Sequence, residues 1–196
     1  MRVAVVDIGT NSTRLLVADV HADGSITELD RRTRVTRLGE GVDASGVLSE
    51  AAIARVLATL DDYAAVIAEL GAQARPAVLT SAVRDAANGQ EFVAMVEQRY
   101  GLEARAIAGS EEAQLSFLGA TSDRDPHDQT ATLVIDVGGG STELTHGLSD
   151  RSSGSVPRPE SGLAPPRPGA ARLRAGCRSR TPRSRPARTP RARESG

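Results

Sequence analysis

The sequence predicts an α/β protein whose sheet combines antiparallel and parallel strands. Near the N-terminus, three strands follow one another directly, which favours an antiparallel meander. Strands then alternate with amphipathic helices, an order that is typical of crossover connections and parallel pairing. A strand and turn near residue 140 also repeat the first strand and turn of the chain. These observations place the protein in the α/β class, with mixed strand pairing.

The N-terminal meander is predicted from β-branched runs that are separated by turn residues. Arg2–Ile8 is a short apolar run that ends in Asp and Gly, which indicates a buried strand. Ser12–Val20 is the second strand, and Asp23-Gly24 marks a turn into a third strand around Ser25–Leu29. The first turn of the chain is therefore predicted to be the turn of a hairpin.

The middle of the chain alternates helices and strands. Leu48–Gly71 carries apolar residues at helical spacing, and Ser49 and Gly71 are suited to cap its two ends. A buried strand at about Ala77–Thr80 then runs into a loop. Asn88 and Glu91 resemble a capping box that opens the next helix. The remaining predicted elements are a strand in Glu103–Ile107, a helix starting in Gly109–Ala120 and a buried strand at Thr130–Val137.

Composition divides the chain into two parts and excludes several classes of protein. Residues 1–150 contain 23 acidic residues and 12 arginines (net −11), whereas residues 151–196 contain 2 acidic residues and 12 arginines (net +10). A single Cys177 excludes an internal disulfide framework and a cysteine-based zinc site. No apolar run is long enough to span a membrane, and the N-terminus lacks a signal peptide's apolar run. A soluble cytoplasmic protein is therefore expected.

The repeated segment is the main indication of chemistry. VVDIGTNSTRL (Val5–Leu15) and VIDVGGGSTEL (Val134–Leu144) are identical at six of eleven positions. Glycines at a strand end allow a polyanion to approach the backbone, and short hydroxyl and amide side chains add hydrogen-bond donors. Two such turns with matching strands predict phosphate binding. The alternative is a duplicated hairpin without a ligand. The phosphate-binding candidates are Asp7, Gly9, Thr10, Asn11, Ser12, Gly138, Gly139, Gly140, Ser141 and Thr142.

Acidic residues beside these turns indicate a cation as well as phosphate. Asp7 and Asp136 would repel a phosphate unless they orient water or hold a divalent cation such as Mg²⁺. Glu111 and Glu112, at the start of a predicted helix, are the candidate carboxylates that would orient or deprotonate an attacking water. Arg84 is a candidate phosphate contact. Other interpretations remain open for these three: the two glutamates could complement the helix dipole, and Arg84 could pair with its neighbour Asp85.

Five sequence blocks together resemble the exopolyphosphatase/guanosine pentaphosphatase (Ppx/GppA) family, in the family's order and over about Arg2 to Leu144. The blocks are VVDIGTNSTRLLVADV, RLGEGVDASGVLS, TSAVRDAANGQEF, AGSEEAQLSFLGA and VIDVGGGSTEL. The resemblance implies an actin-like (ribonuclease H-like) lobe with a mixed sheet and flanking helices. In that fold, two lobes each supply one hairpin loop and phosphates lie between them.

The resemblance also assigns roles to particular residues. It makes Glu112 the catalytic base and places the family's arginine at Arg84. It matches Asp136 and Glu143 to metal-orienting acids of the second phosphate loop, with Asp7 in the first. Without the family, Glu143 would be read as lying on a solvated strand face. Gln114 departs from many relatives, which have Arg there, and this difference removes one possible phosphate contact.

The resemblance stops after Leu144, and this defines the expected domains. Residues 1–125 are expected to form the first actin-like lobe, and residues 126–148 the opening hairpin of a truncated second lobe. Residues 149–196 are rich in Arg and Pro without apolar periodicity, so a disordered tail is expected, most simply an out-of-frame product. A selected polyanion-binding tail is the alternative. We also expect the opening strand of the second lobe to leave apolar surface uncovered.

The leading functional hypothesis is a polyphosphate phosphohydrolase of exopolyphosphatase type, with Mg²⁺ or another divalent cation as cofactor and low or no turnover in this chain. The alternatives are guanosine pentaphosphate (pppGpp) hydrolysis, a non-catalytic polyanion-binding module and an ATP-dependent kinase of the same fold. The kinase is disfavoured because no adenine site is recognisable. Inorganic polyphosphate or pppGpp is the expected partner, with nucleic acid bound at most non-specifically by the tail, and the resemblance implies that homodimers are common in the family.

Overall fold

The structure is a computed structural model that describes residues 1–125, 127–128 and 130–147. The predicted tail, residues 149–196, lies outside the described residues. The elements in chain order are β1 (Arg2–Ile8), β2 (Ser12–Val20), β3 (Ile26–Val35), α1 (Val42–Ser45), α2 (Glu50–Leu70), β4 (Pro76–Leu79), α3 (Ser81–Asp85), α4 (Gly89–Tyr100), β5 (Glu103–Ala106), α5 (Gly109–Ala120), β6 (Thr132–Val137) and β7 (Thr142–Gly147).

The strands form one five-stranded sheet and one two-stranded sheet. The larger sheet has the order β3-β2-β1-β4-β5. Strands β1, β2 and β3 pair antiparallel, whereas β4 pairs parallel with both β1 and β5. The smaller sheet is the antiparallel hairpin β6–β7. This architecture confirms the predicted α/β class with mixed pairing.

Strand β3 is longer than its sequence pattern predicted. The expected strand around Ser25–Leu29 extends to Val35, because β3 pairs with the whole of β2, from Val20 opposite Ile26 to Ser12 opposite Val35. Nearly all of its residues are exposed, since the strand lies at the edge of the sheet. Its second half therefore lacks the apolar alternation that makes a strand visible in a sequence.

Helix α2 begins and ends as predicted. The Ser49 side chain accepts a hydrogen bond of 3.2 Å from the backbone N–H of Ala52, and Gly71 ends the helix with φ at +68°. Val56 and Leu60 are buried on its inner face. The cap satisfies an N–H that has no partner inside the helix, and glycine adopts the left-handed conformation without steric cost.

Two predicted local features are wrong. Arg84 lies on the short helix α3, not in a loop, because this single turn follows β4 directly. Asn88 precedes α4 but makes no side-chain cap. Its amide instead bonds the backbone of Leu48 in both directions, accepting from the N–H at 2.8 Å and donating to the C=O at 3.0 Å. A contact across 40 residues thus replaces the local capping box. The single-turn helix α1 had no counterpart in the prediction.

The main core lies between one face of the large sheet and helices α2 and α4. Ala4, Val6 and Ile8 of β1 are completely buried, whereas Val5 between them points to the other face and is 36% exposed. Tyr63 of α2 is buried and donates a hydrogen bond of 2.9 Å to the carbonyl of Thr13. This satisfied hydroxyl lets an aromatic side chain fill an otherwise aliphatic core. Among the described residues, no helix is both long and apolar enough to span a bilayer.

Candidate active site

The two repeated turns have the same geometry. In the first, the N–H of Gly9 donates to the carbonyl of Ser12 at 2.9 Å; in the second, the N–H of Gly138 donates to the carbonyl of Ser141, also at 2.9 Å. A Cβ atom added to either glycine would lie 3.1 Å from that carbonyl oxygen. The sequence repeat is therefore a repeat of structure, and both turns leave little room for a side chain at the same point.

The two turns pack directly against each other. A Cβ on Gly139 would lie 3.0 Å from Cβ of Asn11, and a Cβ on Gly140 would lie 2.9 Å from Oγ of Ser81. The backbone of the second turn thus reaches the first turn and the start of α3. A side chain at either position would force the neighbouring atoms to shift.

The first turn is anchored to α3 through Thr10. Its hydroxyl lies 2.8 Å from Oγ of Ser81 and accepts a hydrogen bond of 3.2 Å from the N–H of Ala82. The hydroxyl therefore satisfies the N-terminus of the helix that carries Arg84. The next residue, Asn11, is exposed, and its backbone carbonyl accepts hydrogen bonds from the N–H groups of Thr36 and Arg37.

Arg84 is oriented towards α5. Its Nη1 donates a hydrogen bond of 2.9 Å to the carbonyl of Ile107 and lies 3.6 Å from Oε2 of Glu112. Its Nε also lies 3.5 Å from Oδ1 of Asp85, so the pairing considered from the sequence is present as well. The guanidinium is thus held by one backbone bond between two carboxylates, a position from which it can meet an anion.

Glu112 has the properties of a group that accepts protons near neutral pH. Its side chain is 18% exposed, and Oε2 is buried without a hydrogen-bond partner in the described part of the chain. The pKa of Glu112 is raised to about 7, chiefly by burial and next by the negative charge of Glu143, while Arg84 opposes the shift. Asp136 and Asp7 add smaller effects in the same direction as burial. Glu112 therefore lies within electrostatic range of acids from both hairpins.

Glu111 is not brought together with this group. Its carboxylate receives two hydrogen bonds from Arg105, at 2.9 and 2.5 Å, on a more exposed part of the surface. The ion pair lowers the pKa of Glu111. Of the two adjacent glutamates, the geometry thus favours Glu112 for chemistry.

The acids of the second hairpin face α5. Glu143 is only 6% exposed, and its Oε1 is buried without a hydrogen-bond partner among the described residues. The interpretation of Glu143 as part of a solvated strand face is therefore wrong. Asp136 lies opposite Glu143 in the hairpin register, and its Oδ2 accepts a 2.6 Å hydrogen bond from Oγ of Ser116.

Asp7 is the acid that the first hairpin contributes. It lies opposite Arg14 in the register, and their side chains approach to 3.5 Å. Burial raises the pKa of Asp7, Arg14 opposes this effect and Asp136 adds to it. The repulsion between Asp7 and Asp136 thus acts between the two hairpins, at the ends of their strands.

The donor set fits a divalent cation that is shared with a phosphate. Within the described ranges, no three acidic, histidine or cysteine side chains form a ready-made metal cluster. Mg²⁺, however, commonly uses one or two carboxylates and completes its coordination with water and substrate phosphate. The buried oxygens of Glu112 and Glu143 that lack a hydrogen-bond partner among the described residues are the kind of groups that such a cation would satisfy. The residues therefore fit magnesium chemistry without a preformed cage.

Three contacts at this site were not predicted from the sequence. Ser116 was overlooked although it lies one turn after Glu112 on the same helical face, a spacing that the sequence does contain. Arg14 is opposite Asp7 only because of the hairpin register. Ser81 meets Thr10 across 71 residues, and no local pattern indicates that contact.

The fold and the paired turns define an α/β lobe of the actin-like class. The chain belongs to the Ppx/GppA phosphatase family, because the family model matches residues 16–159.

Individual relatives agree with this assignment. The chain is 44% identical over 154 residues to Exopolyphosphatase 2 of Mycobacterium tuberculosis, covering 74% of this chain and 48% of that protein. It superposes on the Aquifex aeolicus Ppx/GppA family member with a TM-score of 0.71 and 32% identity, covering 84% of this chain and 52% of that one. For an exopolyphosphatase from Cytophaga hutchinsonii, the TM-score is 0.74 and the identity is 28%. The match covers 84% of this chain and 51% of that one. The chain spans about half the length of these relatives.

Proposed function

We propose that the chain carries the first half of a phosphohydrolase site that releases terminal orthophosphate from inorganic polyphosphate. The observation that carries the proposal is a pair of buried carboxylate oxygens, Glu112 Oε2 and Glu143 Oε1, that have no hydrogen-bond partner among the described residues and lie beside two matched glycine turns. Burying carboxylate oxygens without hydrogen bonds is costly, so a site that retains them is suited to a cation and a proton-transfer role.

The chain's own residues would divide the chemistry between them. Glu112, once deprotonated, accepts a proton from the attacking water, a role that suits a carboxyl group with a pKa of about 7. Arg84 meets the phosphoryl oxygens, because its guanidinium is already held beside Glu112. The two turns hold the phosphate chain through backbone groups and short side chains.

Asp136, Glu143 and Asp7 are the residues that would hold Mg²⁺. When bound, the cation neutralises charge on the phosphoryl oxygens during an in-line displacement. Without it, these three acids and Glu112 would repel an anionic substrate. We therefore expect substrate binding itself to depend on the cation.

Polyphosphate is proposed ahead of pppGpp because relatives from Mycobacterium tuberculosis and Cytophaga hutchinsonii bear the name exopolyphosphatase. We further infer that residues 1–125 are the first lobe and that residues 126–148 open a second one. The separation of the strands into two sheets supports this division.

The test is a side-by-side assay of purified chain with long-chain polyphosphate and with pppGpp, each with Mg²⁺ and with excess chelator. We expect Mg²⁺-dependent release of orthophosphate, or Mg²⁺-dependent binding without release, with polyphosphate preferred. Glu112→Gln should abolish release and leave binding, whereas Glu111→Gln should retain both. Preference for pppGpp would favour the alternative substrate. Binding that needs no Mg²⁺ and ignores Arg84→Ala would contradict the proposed site and favour a non-catalytic polyanion binder.

A further inference from the structure

We infer that Ser116 is a positioning residue that fixes the carboxylate of Asp136 for cation binding. The inference rests on the proposed function, because it assigns to Ser116 a role towards the proposed cation. Its starting observation is the 2.6 Å hydrogen bond from Oγ of Ser116 to Oδ2 of Asp136, which joins residues 20 positions apart.

The length of this bond is that expected for a hydroxyl that donates to a carboxylate. Such bonds are short, at about 2.5–2.7 Å, and roughly twice as strong as neutral ones. The terminal torsion of an aspartate is otherwise broad, so an unrestrained carboxylate samples many orientations. Because Ser116 binds Oδ2, it restricts rotation of the Asp136 carboxylate. Ser116 makes no bond to the other oxygen, Oδ1.

Ser116 is placed to do this by helix α5. It lies four residues after Glu112, which brings both side chains onto the same face of the helix. Asp136 and Glu143 are direct partners in the hairpin and share the face that is turned to α5. One helical face thus supplies the proposed base and, one turn later, the hydroxyl that orients an acid of the opposite hairpin.

The competing explanation is that Ser116 only attaches the hairpin to α5. A second hydrogen bond at the same interface provides a control. Oγ1 of Thr145, on β7, donates to the backbone carbonyl of Ala113 at 3.3 Å. This bond also joins α5 to the hairpin but touches no carboxylate. If Ser116 only held the hairpin in place, loss of the Thr145 hydroxyl would have a comparable effect on cation binding.

The experiment measures Mn²⁺ affinity of the full chain by the electron paramagnetic resonance signal of free Mn²⁺, with Mn²⁺ alone as the probe. Ser116→Ala should weaken Mn²⁺ binding about tenfold, as is typical when a residue that orients a metal ligand is lost. Ser116→Thr and Ser116→Val form a matched pair of equal shape, of which only Thr retains a hydroxyl. Ser116→Thr should bind Mn²⁺ nearly as well as wild type, and Ser116→Val should bind it as weakly as Ser116→Ala. Thr145→Val should leave the affinity close to wild type.

The outcomes separate this inference from the proposed function. Asp136→Asn should reduce Mn²⁺ affinity at least as much as Ser116→Ala. If wild type binds Mn²⁺ and Asp136→Asn weakens it while both Ser116→Ala and Ser116→Val do not, the role of Ser116 is overturned and the cation site stands. Equal losses in Ser116→Val and Thr145→Val also overturn it, in favour of adhesion. If wild type binds no Mn²⁺, or Asp136→Asn has no effect, the proposed cation site fails and this inference fails with it. Circular dichroism and urea unfolding in chelator identify any variant that has lost its fold, and the Thr and Val pair then decides in place of Ala.

Discussion

Glu111 and Glu112 are adjacent in the chain but lie in opposite electrostatic environments. Arg105 holds Glu111 in a two-bond ion pair and lowers its pKa. Burial and neighbouring acids raise the pKa of Glu112 to about 7. A helix turns by about 100° per residue, so neighbouring side chains on α5 point in different directions. Their different surroundings, more than their shared chemistry, determine what each can do.

The raised pKa of Glu112 predicts a pH-dependent effect of Glu112→Gln on stability. The folded state binds this proton more tightly than the unfolded state, whose carboxyl has a pKa of about 4.5. The resulting stabilisation is complete below about pH 4.5 and is lost as the pH rises to about 7. Since Gln cannot ionise, the variant should exceed wild type at pH 8 by up to roughly 3 kcal/mol. Urea unfolding in chelator at pH 5 and pH 8 measures the difference.

Glu111→Gln is the matched control, and it should change the free energy of unfolding at pH 8 in the opposite direction. The folded-state pKa of Glu111 is lowered, so its ion pair contributes above the unfolded-state pKa and is lost as the pH falls. The variant should be slightly less stable than wild type at pH 8, with a small effect because the pair is solvent-exposed. A gain in stability from both variants would contradict the assignment of separate environments.

Sequence reasoning placed both glutamates at the start of a helix but could not rank their environments without the family. The ranking depends on Arg105, Arg84 and Glu143, which approach from a strand, a short helix and a later hairpin. Glu143 shows the same limitation. Its alternation with Leu144 was correct for a strand, but the choice of buried face was not.

At the scale of elements, the first glycine turn and α3 form one unit. Thr10 lies in the turn, and its hydroxyl accepts the N–H of Ala82 in the first turn of α3. Ser81 completes the contact. A residue that was predicted for phosphate binding thus also has a structural task, because it bonds the first turn of the helix that carries Arg84.

Thr10→Val should lower the free energy of unfolding by about 1–2 kcal/mol, because the variant leaves the N–H of Ala82 without its acceptor. Thr10→Ser keeps the hydroxyl and should recover most of that loss. Urea unfolding of the three proteins at constant pH provides the comparison. Equal stability of Val and Ser at this position would show that the hydroxyl contributes nothing to holding α3.

Elements whose ends are determined by neighbouring residues were predicted best. Helix α2 was recognised with both ends because Ser49 and Gly71 act within one turn of the helix. The ends of β1 and β2 were also correct, because glycine and turn residues lie next to them. The cap at Asn88 failed because its amide is used by Leu48, and the end of β3 failed because pairing with β2 determines it.

At the scale of the whole molecule, the hairpin β6–β7 turns its polar face inward. Glu143 and Thr145 are buried against α5, whereas Leu133, Ile135 and Val137 are 59%, 56% and 74% exposed. The expected uncovered apolar surface is therefore present on the described hairpin. A contiguous exposed apolar strand face favours association with other surfaces.

We expect the chain to self-associate through this face as its concentration rises. Ile135→Thr should reduce association, because it removes an apolar side chain while keeping a β-branched residue in the strand. Ile26→Thr is the matched control, since Ile26 is 65% exposed but lies on β3, in the other sheet. Sedimentation velocity over a tenfold concentration range compares them. Equal effects of both substitutions would place the contact elsewhere.

The architecture of the whole molecule was the most predictable level, and the contact between its two sheets the least. The repeated motif correctly indicated two equivalent turns. It contained nothing about their direct packing, which depends on the absence of side chains at Gly139 and Gly140. Contacts of this kind arise from the geometry of separate elements, so they have no signature in any one segment.

The attachment of β6–β7 also has a consequence for local unfolding. A two-stranded sheet is marginal by itself, and this one rests on α5 and on the first glycine turn. Its amide protons should therefore exchange with deuterium well before those of β1 and β2, which have strand partners on both sides. Exchange followed by mass spectrometry would show two separate protection classes; a single class would mean that the sheets open together. If the two classes are found, the hairpin that contains Asp136 and Glu143 opens and closes without unfolding of the larger sheet.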